Sequence, residues 1–466
     1  MLSLFDRLRH AARRPSDNLL ARGVTLSVIG RGGSLFLGFV GSVALARFLG
    51  PSDRGLLGLM TSASAVALAL TALGVPQAVV YFSSRRDADQ GALLGNSFAQ
   101  ATLLTAVIVP LALVFHQALA DALGHGQGGR TWALVAVLVS ITFLDWTTHG
   151  QLQGMLMFGR FSALLIIGKA LSVVAILALV GAAGLGVAGG VIATAVASIV
   201  MIFGSLPPIL ARARPRLNLK LWDRMVRYGF RVQIGSMLQL ANFRLDVIIV
   251  QLFRPLSQVG YYVIAQTIAE LVVNLAVAFQ GSIMPLVAHY EGDEKARTNT
   301  ILSVRHHGIL AAVAVIGNAI LGPLVIALAY GSKFTPAIAP MLILLPGIWF
   351  LGMGVVIQGD LSGRGRPGLS SALAGLAAIV TVALDFALIP PLGVIGAALA
   401  SVAAYSTFGV ASLEALHRVT GISIRELIVP TRADFDAYRS VIARGFAALK
   451  RSARRPTPPQ AGDHLT

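Results

Sequence analysis

The sequence predicts an all-α protein that crosses a lipid bilayer about twelve times, folded as two repeated bundles of six helices. Three observations carry that prediction. The 466 residues are 56% hydrophobic and 12% charged, with a mean hydropathy of +0.77, which leaves too little polar surface to clothe a soluble protein of this length. Apolar runs of about 20 residues or more, the length that a hydrocarbon core demands, recur from one end to the other. Similar residues also return at a nearly constant separation of about 205 positions.

The runs fall at 23–49, 56–83, 93–118, 131–152, 160–181, 186–209, 228–252, 258–286, 303–330, 337–361, 368–390 and 393–417. Residues 1–22 are basic, with Leu2, Leu4, Phe5 and Leu8 at roughly helical spacing. The apolar run behind them is too long for a signal-peptide core, so they read as a cytoplasmic amphipathic segment leading into a retained first helix. The first bundle occupies 23–210, a basic linker 211–227, the second bundle 228–417 and a basic tail 418–466.

The net charge of +17 does not point to nucleic acid, because the cations are dispersed between apolar runs and gathered on no module. Of 37 Lys and Arg, 28 fall in segments on the side of the N-terminus and four (Arg54, Arg130, Arg254 and Lys333) on the other. The other five, Arg31, Arg47, Lys169, Arg231 and Arg244, lie within runs. Both termini are therefore expected in the cytoplasm. There is no cysteine, so disulfides and thiolate metal sites are excluded.

The repeat is visible in particular residues. Phe48-Leu49-Gly50-Pro51-Ser52-Asp53-Arg54-Gly55 is similar to the turn that ends at Gly260, Gly159-Arg160 to Gly365-Arg366, and Leu185-Gly186-Val187 to Leu392-Gly393-Val394. An even number of spans per unit gives both copies one orientation, related by an axis along the membrane normal, as in transporters whose halves rock about a central site.

Some motifs carry no chemistry. Gly184-Leu185-Gly186-Val187-Ala188-Gly189 fits GxGxxG but follows no strand, and reads as a tight turn between helices. His306-His307 reads as a loop pair with no second ligand set, and no HExxH or Walker pattern occurs, so neither metal nor cofactor is expected. The tail from Arg432 to Arg455, with Phe435, Tyr438, Ile442, Phe446 and Leu449 on one side, reads as a basic amphipathic helix on anionic lipid or as a solvated tail.

The charges inside the apolar runs say most about function, since a charge there costs about 3 kcal/mol to insert and faces protein or water. At about 100° per residue, Arg231, Gly235, Gln239, Asn242 and Asp246 share one face of the seventh span, and Arg244 points the opposite way with Gln233 and Gln251. Tyr262, Gln266, Glu270 and Asn274 form a stripe on the eighth, Glu270 being able either to answer Arg244 or to line a cavity. Ser27, Arg31, Ser34, Gly38 and Ser42 form one on the first, suited to close packing or to a bound anion. Asp145 and His149 are four apart on the fourth span, as a local pair or a proton relay, and Lys169 is in mid-span on the fifth. Substrate contacts are thus expected from Arg31, Lys169, Arg231, Gln239 and Asn242, and ion coupling from Asp145, His149, Asp246 and Glu270. Arg47 and Asp385, nearer a span end, read as snorkelling or capping residues.

Ala46-Arg47-Phe48-Leu49-Gly50-Pro51, Val259-Gly260-Tyr261-Tyr262, Met284-Pro285, Gly363-Arg364-Gly365-Arg366 and Leu388 through Ala398 together resemble the polysaccharide transporter family of oligosaccharide flippases, within the multidrug/oligosaccharidyl-lipid/polysaccharide superfamily, over about residues 20–420. The resemblance implies two six-helix bundles around a V-shaped cavity that moves polyprenyl-pyrophosphate-linked oligosaccharide repeat units to the outer leaflet for exopolysaccharide, capsule or O-antigen synthesis. It also implies a proton or sodium gradient as driving force, and matches Arg31 to the pyrophosphate and Asp246 to the ion. The implied partners are the lipid-linked oligosaccharide, membrane lipid and polysaccharide polymerase and glycosyltransferase enzymes, with the chain itself a monomer, not an enzyme, and without nucleic acid. A cation-coupled multidrug or metabolite exporter would share the architecture but favours an acidic cavity. A membrane-embedded polymerase or glycosyltransferase would need a large outer loop with carboxylates, whereas the longest here, about Gln117 to Arg130, has only Asp121.

Overall fold

The computed structural model describes residues 15–85, 89–124, 126–127, 129–290, 294–432 and 434–435. The side chains of 15–29, 123, 231–232, 234–236, 238–243, 285 and 288–289 lie outside that description. So do the N-terminal amphipathic segment up to residue 14 and nearly all of the basic tail.

Among the described residues the chain is helix and turn without strand. In order, α1 spans Pro15–Thr71, α2 Val75–Ser83, α3 Gln90–Gly124, α4 Thr131–Gly154, α5 Phe158–Ala175, α6 Gly186–Leu210 and α7 Leu219–Phe253. They continue as α8 Leu256–Ala269, α9 Val273–His289, α10 Glu294–Val325, α11 Ile338–Gly363, α12 Pro367–Leu392, α13 Val394–Thr420 and the short α14 Ile424–Ile428. Wider turns Ile176–Ala182 and Ile326–Tyr330 prolong α5 and α10, and tighter turns Glu270–Val272 and Ser332–Ala337 lead into α9 and α11.

Ten helical stretches among the described residues are long and apolar enough to cross a membrane, against the twelve expected. The difference has two sources. Gly50 (φ 73°, ψ 179°) kinks α1 ahead of Pro51, and the helical segments on its two sides, which hold the first expected span and much of the second, count as one stretch. The other is α7, where most side chains from 231 to 243 lie outside the described residues over which spans are counted. The expected loop from Gln117 is also shorter, because α3 runs on to Gly124, and His306-His307 lies inside α10 and not in a loop.

The largest core lies in the C-terminal half, where Tyr262, Tyr330, Phe334, Met341, Leu345, Met353, Tyr405 and Phe408 interlock around α11. Burial from lipid gains little hydrophobic energy, so packing and hydrogen bonds must carry the association. The halves meet most intimately where the repeat predicted equivalent turns. A Cβ on Gly55 would lie 1.9 Å from the carbonyl oxygen of Leu256, and one on Gly260 would lie 2.0 Å from that of Pro51. Backbone thus touches backbone reciprocally across the two turns. Beside them Arg47 donates from Nε to Ala329 O (2.5 Å) and from Nη2 to Leu328 O, closing the end of the α10 extension. Capping is therefore its role here. Arg254 likewise donates from Nη2 to Pro390 O (2.6 Å) and Ile389 O (3.3 Å) at the end of α12.

At the opposite end the linker is held on α3. Asn96 Nδ2 donates to Asn218 O (3.0 Å), Asn218 N to Asn96 Oδ1 (3.0 Å), and Arg216 N to Gly91 O (3.1 Å). Arg216 Nη2 lies 2.7 Å from Asp89 Oδ2, and Ala92 N donates to Asp89 Oδ1 (2.9 Å). Partial burial pushes the Asp89 carboxyl up, but the Arg216 hydrogen bond and charge and the Ala92 amide outweigh it and hold it below the usual range. A depressed carboxylate stabilises above its unfolded value of about 4 and loses that contribution as pH falls through the folded one. Limited proteolysis between Arg212 and Lys220 is accordingly expected to be flat above about pH 5 and to quicken only below about pH 4.

The helix in the second expected span also breaks in mid-course, between α1 and α2, with Leu73 (φ 51°) and Gly74 (φ 70°) left-handed. Backbone groups freed inside a bilayer need partners. Gln233 Nε2 donates to Ala69 O (2.8 Å) and Gln100 Nε2 to Ala72 O (3.3 Å), while Gln77 Nε2 reaches Gln233 Oε1 (3.1 Å).

Candidate functional site

Between the two halves lies a cavity of about 640 Å³. One wall is the α1 stripe, with Ser34, Gly38 and Phe39, and Lys169 projects from α5. The facing wall carries Arg244 from α7, Gln266 and Thr267 from α8, Glu270 from the tight turn and Asn274 from α9. Helical spacing explains the second wall: Gln266, Glu270 and Asn274 advance by four, and the turn at Glu270–Val272 holds the stripe toward the gap. Glu270 Oε1 is buried without a hydrogen-bond partner, within electrostatic reach of Arg244. The two share the cavity without closing an ion pair. Two cations and one carboxylate set at membrane depth, edged by amides and hydroxyls, form a surface for a polar ligand.

A smaller cavity of about 190 Å³ adjoins the first, sharing Gly38 and Lys169, and reaches Ser42, Arg54, Thr61, Ser172 and Thr194. Arg54, read from sequence as a loop cation, is buried on the second segment of α1. Lys169 is half-buried and feels the charge of Asp145, which holds His149 at 3.0 Å.

Asp246 does not line either cavity. Its carboxylate is fully buried among α7, α8 and α13, accepting from Tyr262 OH (2.7 Å), Gln266 Nε2 (2.6 Å) and Val247 N (2.7 Å). The Tyr262 hydroxyl is 3.0 Å from Ser401 Oγ, so with its own proton on Asp246 it accepts the serine's. Gln266 is shared: it lines the large cavity and also binds Asp246, so the carboxylate sits one side chain behind the wall. Asp385 of α12 adjoins this cluster, within electrostatic reach of Asp246, fully buried and with neither carboxyl oxygen hydrogen-bonded. The snorkelling or capping expectation for Asp385 is therefore corrected: its side chain turns inward.

The stripes of the sequence are thus distributed as follows. The α1 stripe faces the gap through Ser34, Gly38 and Ser42, whereas Arg31, on the same stripe, is exposed and outside both linings. On α7 Arg244 lines the cavity and Asp246 does not, in keeping with the roughly 200° that separates residues two apart. Arg231, Gln239 and Asn242 lie on α7, but their side chains are outside the described residues. Lys169 and Glu270 both reach the cavity, and Asp145 and His149 form a pair behind Lys169. Arg54 and Asp385 were missed as site residues. The missed signal at Arg54 was that a helix begins at Pro51, which carries position 54 inward.

These features coincide with known proteins. The family model described as polysaccharide biosynthesis protein matches residues 44–339. The probable low-salt glycan biosynthesis flippase Agl15 of Haloferax volcanii is 25% identical over 166 residues, 35% of this chain and 35% of that protein. The match spans about a third of that relative's length. Among solved structures, the lipid II flippase MurJ in an inward closed conformation aligns with a TM-score of 0.73 over 86% of this chain and 89% of its own, at 16% identity. An inward-facing multidrug resistance MATE family transporter of the MOP superfamily aligns with a TM-score of 0.71 over 85% and 98%, at 15% identity. The fold is that of these membrane transporters, and the match across Lys169, Arg244 and Glu270 assigns the chain to the family of polysaccharide biosynthesis proteins.

Proposed function

We propose that the protein is a flippase that carries polyprenyl-diphosphate-linked oligosaccharides across the bacterial inner membrane by alternating access, with both termini cytoplasmic. The observation that carries this reading is the membrane-depth cavity between the halves that presents Lys169 and Arg244 beside neutral hydrogen-bonding side chains. Sugars and a diphosphate cannot cross about 30 Å of hydrocarbon unaided. Arg244 and Lys169 take the diphosphate, the planar guanidinium gripping two oxygens at once. Ser34, Gln266, Thr267 and Asn274 meet sugar hydroxyls, and the polyprenyl tail stays in lipid. Arg31, one turn from Ser34 on the same stripe, meets the headgroup as it arrives, and Arg231, Gln239 and Asn242 continue the polar path along α7. The flippase named among the relatives supports the substrate class. The cations weigh against a cationic drug as cargo.

Coupling follows from Gln266. A proton or sodium ion taken up beside Asp246 and Asp385 alters the hydrogen bonds that Gln266 can make, and so the cavity wall that the substrate meets. The equilibrium shifts by the difference in affinity between the two states. Asp145 and His149, adjoining Lys169, are a second place for a proton. Polymerase and glycosyltransferase enzymes supply and consume the substrate, and a monomer suffices.

The test is a deletion strain, which should accumulate polyprenyl-linked glycan inside the cell and be rescued by the wild-type gene. Asp246→Asn keeps the hydrogen bonds from Tyr262 and Gln266 but cannot carry charge, and its export is expected to fall by about tenfold or more with normal membrane insertion. Full export by that variant removes Asp246 from coupling, and a deletion strain without lipid-linked glycan overturns the reading.

A further inference from the structure

The chain holds three arginines near the Gly50 turns, and they are not alike. Arg47 donates from Nε and Nη2 to helix-terminal carbonyls, and Arg254, although its Nε is likewise buried without a partner, spends Nη2 on two more, Pro390 O and Ile389 O. Arg54 is 9% exposed, its Nε is buried without a hydrogen-bond partner, and its one described bond is a long 3.4 Å contact from Nη2 to Ser42 Oγ. A guanidinium left so at membrane depth is costly unless something answers it. Among the described residues no carboxylate lines its cavity, and the charged groups that reach it are themselves cations: Lys169 in the same cavity and Arg244.

The hydroxyls around it divide by chemistry. Thr61, Ser172 and Thr194 donate to backbone carbonyls at 2.9, 2.7 and 2.9 Å and have no proton to offer. Ser42 is different. It receives Tyr330 OH at 3.2 Å and Arg54 Nη2, so its own O–H is free to donate into the cavity. Arg54, Lys169 and Ser42 thus converge as donors on about 190 Å³ of space next to the larger cavity.

We infer that this pocket is a second anion seat, placed toward the Gly50 turns, which receives the diphosphate after the Arg244 cavity has held it. Lys169 lines both cavities, so the anion can exchange Arg244 for Arg54 without leaving the lysine. The headgroup therefore advances toward the far leaflet while the Gly55 and Gly260 contact is still closed. The inference rests on the flippase reading above and adds the order of the two seats.

The chain has no cysteine, so one introduced thiol reports on one cavity. Thr61→Cys marks the Arg54 pocket and Asn274→Cys the larger cavity. Inorganic pyrophosphate is expected to slow thiol labelling of purified protein about tenfold at both reporters, and farnesyl diphosphate to do the same. Adding Arg54→Gln should abolish protection at the Thr61→Cys reporter and leave it at Asn274→Cys, which also shows that the variant is folded. Protection at Asn274→Cys alone overturns the second seat and leaves the flippase reading standing, as does Thr61→Cys protection that survives Arg54→Gln. Protection of the Thr61→Cys reporter by pyrophosphate but not by farnesyl diphosphate overturns the relay, since the pocket then takes a free anion. No protection at either reporter overturns both.

Discussion

Arg244→Gln should reduce glycan export about a hundredfold in a complemented deletion strain while the protein still reaches the membrane in normal amount. The size follows from what the guanidinium faces. It lines the central cavity with Lys169 on the opposing wall, and a charge-assisted, bidentate grip on a diphosphate contributes about 3 kcal/mol, a factor near one hundred. Glutamine keeps length and some hydrogen bonding but removes the charge. The loss should also leave Glu270 with no cation beside it, so lowering pH during the assay should recover part of the activity if protonating Glu270 removes repulsion toward the diphosphate. Arg244→Lys, which keeps the charge but not the fork, should fall between the two. Export by Arg244→Gln equal to wild type would take the cavity out of substrate binding.

An effect of comparable size is expected from Gly55→Val, on the conformational equilibrium and not on binding. A side chain there meets the Leu256 carbonyl at 1.9 Å, and the obstacle is backbone, which cannot swing aside. Overpacking of this kind typically costs 1–3 kcal/mol or more, so the state closed at the Gly50 turns should lose about thirtyfold in population to the state open there. Labelling of a Ser257→Cys reporter in the neighbouring turn should accelerate in step. Gly260→Val should act the same way, because its Cβ would meet Pro51 O across the reciprocal contact. Gly32→Val, with open space around it, is the control and should change neither rate. Equal labelling of Gly55→Val and wild type would mean that this contact does not seal the gap.

Much of the architecture was readable from spacing. The Gly50-Pro51 turn and its echo at Gly260 marked two corners, and the structure presses those corners together. The stripe through Gln266, Glu270 and Asn274 was also legible, because residues four apart on a helix must share a face. The α1 stripe was legible for the same reason through Ser34, Gly38 and Ser42.

From the sequence, Asp246 is expected on the gap side of α7 and Arg244 on the other, and the reason this misplaces them is geometric. Helical periodicity orders side chains around an axis but leaves the rotation of that axis free, so Arg244 and Asp246 could be told apart and yet be assigned the wrong way round: Arg244 lines the cavity and Asp246 does not. The rotation was decided by partners distant in sequence: Tyr262, Gln266 and Ser401 satisfy a buried carboxylate, and only the C-terminal half supplies them. Arg54 and Asp385 were misread on similar grounds, since distance from a span end says how deep a side chain can lie and not which neighbour it meets.

By itself, then, the sequence determined that this chain is a bundle of membrane helices with polar stripes, because hydrocarbon tolerates few alternatives to a satisfied helix. Only the tertiary structure decided which stripes meet. It brought Lys169 and Arg244 to one cavity, withdrew Asp246 behind Gln266 and left Arg54 with unspent donors, since those relations depend on helix rotation and contact between segments far apart in the chain.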